Sequence, residues 1–375
     1  MDELDDLYFG NKLAEVAVAV ASFPKAYNLS KKELYDKILD NFKNGFDKEI
    51  HRDLYEAYGE NLRKAVDSVL GNESYGDENF DMQMQMRANV SRFAAYKAYH
   101  ATQELKDVDP ADIDKKGKLI LNKYNRWQAA EYNTAVARTR TAKQYHDFTS
   151  DPVSNELYPN IKWLPSRSAS PREAHRVFWN RVWAKNDPFW NSNTPGSLWN
   201  CKCDWEETDE PVTNGNPAGN MSAKGLEGNP AMTGEIFTKD CPYVKKGNME
   251  IVNNFGCSYL RFIGKNVNFV SKSSKGDIYI DKVCANETAK SSIKNPKYWL
   301  KNELMLNLDK YLPTAQYVGN EPIDLTHNSK KGKAYKLKKK SKQFHEFAIN
   351  FKNEKYTVKV IELNSGKLLA YTVYV

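Results

Sequence analysis

Apolar residues recur every three to four positions through much of the first half of the chain, the spacing that buries one stripe of an α-helix. This spacing predicts helices over residues 31–38 and 54–70, with a glycine-bounded break at 71–76. A third helix is predicted to begin at Asp81 and to end near Leu105. A longer helix follows, and its predicted packing face comprises Tyr124, Trp127, Glu131, Ala135, Arg138, Ala142 and Tyr145.

Strict alternation of apolar and polar residues marks the end of the chain and is typical of half-buried strands. It predicts an antiparallel meander over residues 344–351, 356–363 and 368–375, preceded by a strand at 276–283 and a helix at 297–312. The predicted buried face comprises Phe347, Ile349, Phe351, Tyr356, Val358, Val360, Leu369, Tyr371, Val373 and Val375. The opposite, polar face comprises Glu346, Asn350, Thr357, Lys359, Thr372 and Tyr374.

The middle of the chain is less regular. It predicts a strand at 158–164, a short helix at 171–185 and a turn-rich loop at 186–203. Residues 209–234 are rich in Glu, Pro, Asn and Gly without an apolar period, which indicates a loop or linker. The chain is therefore predicted to be a multi-domain α+β protein. Its three predicted parts are an acidic helical segment (1–80), a Trp-rich module with a small sheet (81–244) and a basic α+β domain with the meander (245–375).

Charge is distributed unevenly along the 375 residues. Residues 1–80 carry a net charge of −7, residues 81–241 carry +1 and residues 242–375 carry +13. Arg261 is the only arginine of the last segment, and eight of its lysines lie within residues 330–342. Lysine suits phosphate backbones, so this segment fits DNA or RNA as a partner, although a solvated surface is the simpler alternative.

Membrane association is not expected from the sequence. The most apolar window, residues 13–23, is too short to span a bilayer. Acidic residues precede that window, which argues against a signal peptide, so the chain is expected to fold in the cytosol.

Cysteine spacing predicts a metal site. The chain has five cysteines, of which only Cys201 and Cys203 are close together, and this pattern favours reduced thiols over a disulfide framework. Two cysteines one residue apart can bind one metal ion from a tight turn, and His175 is a suitable third ligand for a structural zinc ion. The candidates for a fourth ligand are Cys241, Asp187 and His146. The alternative is a hydrogen-bonded His175 in an aromatic core, with both cysteines as small buried residues.

A carboxylate and a guanidinium lie on the same stripe of the long helix. Glu131 and Arg138 are one helical repeat apart among apolar residues. Such a pair can be catalytic, but the favoured interpretation is a buried structural ion pair.

Six of the eight tryptophans lie between Trp163 and Trp205, which indicates a small rigid core or a tightly packed interface. Over roughly residues 81–244 the chain resembles the phage Mu F-like minor head protein family. The resemblance lies in the order of a strand, Arg-x-x-His, Asp-x-Phe-Trp, a Pro-rich turn and Cys-x-Cys. The matching residues are Trp163, Arg172, His175, Asp187, Phe189, Trp190, Pro195, Cys201 and Cys203. The chain departs from the family pattern at Ser168 and Ser170, where an acidic residue is usual, and at Cys241, where the family often has histidine.

This resemblance implies a structural phage protein, a minor head or head morphogenesis protein associated with the portal vertex. Such a protein acts in capsid assembly, DNA packaging or delivery. The implied partners are the portal protein and other capsid components. The implied location is the virion, at the capsid interior or portal vertex, with the host cytoplasm as the site of assembly.

The layout of the last part, helices followed by an antiparallel sheet with a polar face, resembles the phage barnase, EndoU, colicin and RelE-like nuclease fold and polyvalent-protein-associated domains. The likeness implies, as an alternative function, a metal-independent ribonuclease effector. RNA cleavage needs a base, a cation and an acid, roles that Glu346, Lys359 and either His345 or Thr372 could fill. His345 falls on the apolar side of its strand unless a bulge intervenes. A half-solvated sheet face also carries such residues without any chemistry, and a non-catalytic module that binds packaged DNA is a third alternative.

Overall fold

The structure is a computed structural model and describes most of the chain. The described residues are 32–71, 76–169, 171, 173–217, 219, 221–245, 247–290, 293–295, 297–325, 333–351 and 354–374. Several positions used in the sequence analysis lie outside them, namely the apolar window 13–23, residues 72–75 of the predicted break, Lys31, Ser170, Arg172, Lys330, Lys331 and Val375.

The protein is of the α+β class, as the sequence predicts. Its described residues group into two compact units. The first unit comprises the described part of residues 1–71 together with 93–244, and the second comprises the described part of 72–92 and 245–375. The start of the basic domain at residue 245 thus coincides with a unit boundary, whereas residues 32–71 share a unit with the Trp-rich module. No helix among the described residues is long and apolar enough to cross a membrane.

The first unit consists of a helical part followed by a small sheet. Its helices and strands are α1 (Lys32–Lys43), α2 (Arg52–Leu70), residues 93–106 of α3 (Phe80–Lys106), α4 (Lys118–Ser150), α5 (Pro152–Leu157), β1 (Asn160–Leu164), α6 (Glu173–Arg176), β2 (Val182–Ala184), β3 (Asp204–Thr208) and α7 (Pro230–Thr233). The strand order is β2-β1-β3, and both pairings are antiparallel. The predicted early helices and the predicted strand at 158–164 are therefore confirmed, with ends shifted by a few residues.

The predicted helix at 171–185 is wrong beyond Arg176. Asn180 takes a left-handed φ of 56°, which ends helical geometry, and the chain then enters β2. Strand β2 pairs Val182 with Lys162 and Trp183 with Ile161. Packing of Trp183 and Phe178 into the aromatic core overrides the local helical pattern.

Glu131 and Arg138 are both buried, but the predicted ion pair between them is wrong. Glu131 binds Lys97 and accepts a hydrogen bond from the Tyr243 hydroxyl at 2.9 Å. Arg138 instead donates to four backbone carbonyls, those of Leu226 (2.8 Å), Glu227 (3.4 Å), Gly228 (3.2 Å) and Glu235 (3.2 Å). Because residues seven apart lie about 10 Å apart along a helix, each side chain reaches a different neighbouring segment. Arg138 thereby fixes part of the region predicted to be a linker.

The second unit is built around one six-stranded sheet. Its helices and strands are residues 80–92 of α3, α8 (Asn248–Ile263), β4 (Asn268–Ser271), β5 (Ile278–Asp281), α9 (Lys282–Lys290), α10 (Tyr298–Leu306), α11 (Leu308–Tyr311), β6 (Gln316–Pro322), α12 (Lys333–Lys338), β7 (Ser341–Phe351), β8 (Glu354–Leu363) and β9 (Leu368–Tyr374). The strand order is β4-β5-β9-β8-β7-β6. Only β5 and β9 pair in parallel. The predicted meander is confirmed as β7, β8 and β9.

Two side chains of the meander lie on the face opposite to the predicted one. Val358 pairs with Val373, but a bulge shifts the register so that Val360 pairs with Ala370 and Ile361 with Leu369. Because the extra residue reverses the alternation, Leu369 and Tyr371 pack with Phe344 on the other face.

Candidate metal centre

The three predicted metal ligands come together in the first unit. His175 lies on α6, which follows β1, whereas Cys201 and Cys203 flank Lys202 immediately before β3. Since β1 and β3 pair along their whole length, Trp163 opposite Trp205, the two segments converge at one end of the sheet. The fold therefore brings together residues that are 26 and 28 positions apart in sequence.

The geometry of the three side chains matches a zinc site. His175 Nδ1 lies 3.4 Å from Cys201 Sγ and 3.7 Å from Cys203 Sγ, and all three donor atoms lie within 4.8 Å of one another. Tetrahedral zinc with ordinary Zn–S and Zn–N bonds separates nitrogen and sulfur ligands by about 3.6 Å. The donor atoms can accordingly hold zinc with little rearrangement.

A further hydrogen bond orients the imidazole. Its other nitrogen, Nε2, lies 3.3 Å from Ser197 Oγ, and both residues are fully buried. Histidine ligands usually donate their second ring N–H to such a partner, which fixes the tautomer and leaves Nδ1 free for the metal. Ser197 is thus a site residue that the sequence analysis missed, because nothing in its local pattern points to the histidine.

The two thiols interact through one shared hydrogen bond, which shifts their pKa values in opposite directions. The hydrogen bond with Cys203, opposed by burial and assisted by the His175 side chain, lowers the pKa of Cys201 to about 4. The same hydrogen bond, together with burial, raises the pKa of Cys203. The indole groups of Trp163 and Trp179 act in the opposite direction on Cys203, and their Nε1 atoms are buried without an oxygen acceptor. Indole N–H groups beside sulfur can donate to a metal-bound thiolate.

An aromatic core encloses this centre. The core comprises Tyr145, Ile161, Trp163, Phe178, Trp183, Trp190 and Trp205. The Trp163 ring meets the His175 imidazole edge-on at 5.1 Å between centroids. His175 is fully buried and Cys201 is 5% exposed, so these two ligands are shielded from bulk water, whereas Cys203 is partly buried.

Helix α4 positions the cysteine turn. Asn200, directly before Cys201, has a left-handed φ of 56°. Its backbone N–H donates to Thr134 Oγ1 at 2.8 Å, and its side-chain oxygen accepts from Asn133 Nδ2 at 3.1 Å. Asparagine tolerates this backbone conformation better than most residues, so the turn that presents both sulfurs is favoured locally and by α4.

None of the three candidates for a fourth ligand joins the group. Among the described residues, the cluster of potential ligands contains only the histidine and the two cysteines. Cys241 is buried and its backbone packs against Gly225. Asp187 accepts from the Phe189 backbone N–H at 2.8 Å, and the His146 Nδ1 atom lies 4.0 Å from Asp147 Oδ1.

The candidate catalytic residues of the second unit do not form one group. Glu346 lies opposite Lys359, and Lys359 lies opposite Thr372, so these three share a sheet face. Lys359 Nζ is 3.5 Å from Glu346 Oε1 and also binds Glu321, which lies on β6. His345 is excluded from this face, since it pairs with Val360 and no bulge separates it from Glu346.

Two members of this face complete the cluster around Lys359. The Tyr374 hydroxyl donates to Glu346 Oε1 at 2.8 Å, and burial together with this hydrogen bond raises the pKa of Tyr374. Alternation in the last strand places Tyr374 on the polar face, as predicted. Glu321 was missed because β6 lacks a clear apolar alternation and was not predicted as a strand.

A scan against protein-family models found no match, and searches of curated proteins and of solved structures found no similar protein.

Proposed function

We propose that the chain is a phage minor head protein, associated with the portal vertex and acting in capsid assembly, DNA packaging or delivery. The observation that supports this proposal is the convergence of the motif residues. Trp163, His175, Trp190, Cys201 and Cys203, which are separate elements of the Mu F-like pattern, lie in or against one aromatic core. A motif whose members meet in space has a physical reason to occur as a unit.

A structural zinc ion is part of this proposal. His175, Cys201 and Cys203 hold it, and the indole N–H groups of Trp163 and Trp179 stabilise the Cys203 thiolate. The described part of residues 151–234, which surrounds the three ligands, has a three-stranded sheet and short helices, and small loop-rich regions commonly depend on a metal for stability. The buried, aromatic surroundings suit an ion that supports packing more than one that meets a substrate.

The head role is tested by asking where the protein is found. Particles are purified from an induced lysate of the phage that encodes the chain, and their proteins are quantified by mass spectrometry. We expect the chain in the particles in few copies relative to the major capsid protein. Deletion of its gene is expected to leave particles that assemble or package DNA poorly. Absence of the chain from intact particles, despite abundance in the lysate, would refute the proposal.

The second candidate function is ribonuclease activity in the second unit. It is supported by the register that places Glu346, Lys359 and Thr372 side by side, with the Tyr374 hydroxyl on Glu346. Glu346 would serve as the base and Lys359 as the cation, whereas His345 is not on this face. The full chain is incubated with total RNA and tRNA in EDTA, beside Lys359→Ala and a Lys355→Ala control from the same strand. Cleavage by the wild type and the control, but not by Lys359→Ala, is the expected result for a ribonuclease.

A further inference from the structure

His345 lies between a phenol and a carboxylate in the second unit. Its Nε2 atom is 3.0 Å from Glu362 Oε2, and its Nδ1 atom is 3.2 Å from the Tyr317 hydroxyl. The three residues come from β8, β7 and β6, on the sheet face opposite to Glu346 and Lys359. The bulge between Tyr317 and Gly319 in β6 sets the direction of the Tyr317 side chain at this edge strand.

The hydrogen bonds define the direction of proton transfer. An ionised carboxylate can only accept, so His345 Nε2 carries the proton that is donated to Glu362. In the tautomer with this proton on Nε2, Nδ1 has a lone pair that can accept a hydrogen bond from the Tyr317 hydroxyl. The phenol proton is therefore already directed at a base.

The carboxylate is held in its charged form. The side chains of Gln343, at 2.9 Å, and Lys342, at 3.1 Å, donate to Glu362 in addition to His345. The hydrogen bond from Gln343, followed by those from His345 and Lys342, lowers the pKa of Glu362 to about 2. Glu362 thus remains an acceptor that orients the imidazole across the physiological pH range.

The surroundings of Tyr317 favour an anionic substrate. The exposed Lys275 places its ammonium 4.0 Å from the centre of the Tyr317 ring. Lys342 is half exposed beside Glu362, and residues 242–375 carry a net charge of +13. Tyr317 is itself partly exposed, whereas His345 is only 7% exposed. A phosphate group can approach the phenol while the base stays shielded.

We propose that Tyr317, His345 and Glu362 form a nucleophilic centre that acts on a nucleic-acid phosphodiester. Tyr317 is the nucleophile, His345 is its general base, and Glu362 positions His345. A nucleophile bonded to a base, which is itself oriented by a third group, is the arrangement shared by enzymes that use covalent catalysis. This inference is independent of the minor head role.

The reaction is a balanced transesterification. The Tyr317 phenolic oxygen attacks phosphorus and forms a Tyr–O–P bond, while the bond from phosphorus to one sugar oxygen breaks. His345 Nδ1 takes the phenol proton and returns it to the departing sugar oxygen. Lys275 offsets the charge on the phosphoryl oxygens. The product is a protein–nucleic acid phosphodiester, and no oxidant or further reactant is needed.

The test is the detection of a covalent adduct. The full chain is incubated with fluorescent single-stranded DNA and, separately, RNA oligonucleotides, labelled at either end, and the products are separated on denaturing gels. We expect a labelled protein band with the wild type that is absent from Tyr317→Phe. Packing of the Tyr317 ring on Phe347, at 5.5 Å between centroids, is retained in that variant. His345→Gln is expected to form the adduct about a hundredfold more slowly or worse.

Tyr279→Phe is the matched control, since Tyr279 lies exposed on the same sheet with the Lys367 ammonium 3.7 Å from its ring centre, and no imidazole contacts its phenol among the described residues. It is expected to form the adduct at the wild-type rate. The band found with DNA or with RNA identifies the sugar, and the label position identifies the strand end that stays on the protein. No adduct from folded wild type with either polymer, an adduct that persists in Tyr317→Phe, or cleavage without an adduct would each overturn the proposal. None of these results bears on the presence of the chain in virions.

Discussion

His175 Nδ1 lies 3.4 Å from Cys201 Sγ, although 26 residues separate them in sequence. The imidazole is held in this position by Ser197 on its other side, and the thiol lies on a turn fixed by α4. A histidine and a thiol in hydrogen-bond contact form either a polar pair within a core or two ligands of a metal. The two arrangements differ in how the protein responds to a chelator.

Removal of zinc is expected to destabilise the first unit. A ligand at a hundredfold excess over its dissociation constant stabilises the native state by about 2.7 kcal/mol. The midpoint of thermal unfolding should therefore fall when a strong chelator is added to the full chain. Elemental analysis should find stoichiometric zinc in the wild type and little in His175→Ala or Cys203→Ser.

Cys241→Ala is the control for the metal prediction, because Cys241 lies outside the ligand cluster. It is expected to retain zinc. Loss of zinc from this variant would restore Cys241 as the fourth ligand. Wild-type protein purified without zinc, and with an unfolding midpoint insensitive to chelator, would leave only the hydrogen-bonded core.

Lys97 and Glu131 form a buried ion pair. The losses of unfolding free energy caused by substituting the two residues are expected to be strongly non-additive. Both side chains are at least 95% buried, and Glu131 also accepts from Tyr243. Removing one partner of such a pair costs about 3–5 kcal/mol, because the other charge is left uncompensated. We expect the Lys97→Met variant to be much less stable than the wild type. The double variant, Lys97→Met with Glu131→Gln, is expected to recover a large part of the lost unfolding free energy.

Chemical denaturation of the two single variants and the double variant measures this coupling. Gln at position 131 keeps an acceptor for the Tyr243 hydroxyl, so the comparison isolates the charge. Additive losses in the double variant would show that Lys97 and Glu131 contribute independently.

Local patterns in the sequence account for the elements that repeat regularly. The meander and the long helices were predicted because alternation and helical spacing extend over many residues, and long patterns are the most reliable. The predicted helix at 171–185 was wrong beyond Arg176, because its aromatic residues bury in a core built by distant strands. Strand β6 has no alternating apolar face, since it lies at the sheet edge, and it could not be predicted.

The same distinction applies to the candidate sites. The spacing of Cys201 and Cys203 indicates a metal site, and the imidazole of His175 is a suitable third ligand, so these three residues could be predicted from the sequence. Ser197, which orients His175, could not. His345 was predicted to join the polar face only if a bulge intervened, and no bulge does. Its partners Tyr317 and Glu362 depend on strand pairing and on two register shifts, which no local pattern specifies.

Gly225 is expected to be the least replaceable glycine of the first unit. Its φ is +89°, and a Cβ there would lie 2.6 Å from the Cα atom of Cys241. Gly215 has a similar φ of +66°, but a Cβ there would meet nothing within 4 Å. Gly225→Ala should therefore be less stable than Gly215→Ala by about 1–3 kcal/mol, the usual cost of overpacking. Equal unfolding free energies for the two variants would show that the backbone at Cys241 can move away from residue 225 without a cost in stability.

Lys301 should make stability depend on pH in the alkaline range. Its side chain is fully buried, and burial lowers its pKa from an ordinary value near 10.5 to about 7. Between these two values the unfolded chain binds the proton and the folded protein does not, so the free-energy cost of burying the lysine decreases as pH rises from about 7 to about 10.5. Below pH 7 both states are protonated, and this contribution does not change with pH.

Lys301→Met has no such group, so the unfolding free energy of the wild type minus that of the variant should rise between pH 7 and 10.5, with a slope of at most about 1.4 kcal/mol per pH unit. Denaturant titrations at a series of pH values measure this difference, and a flat difference from pH 7 to 10 would show that Lys301 is protonated in the folded protein.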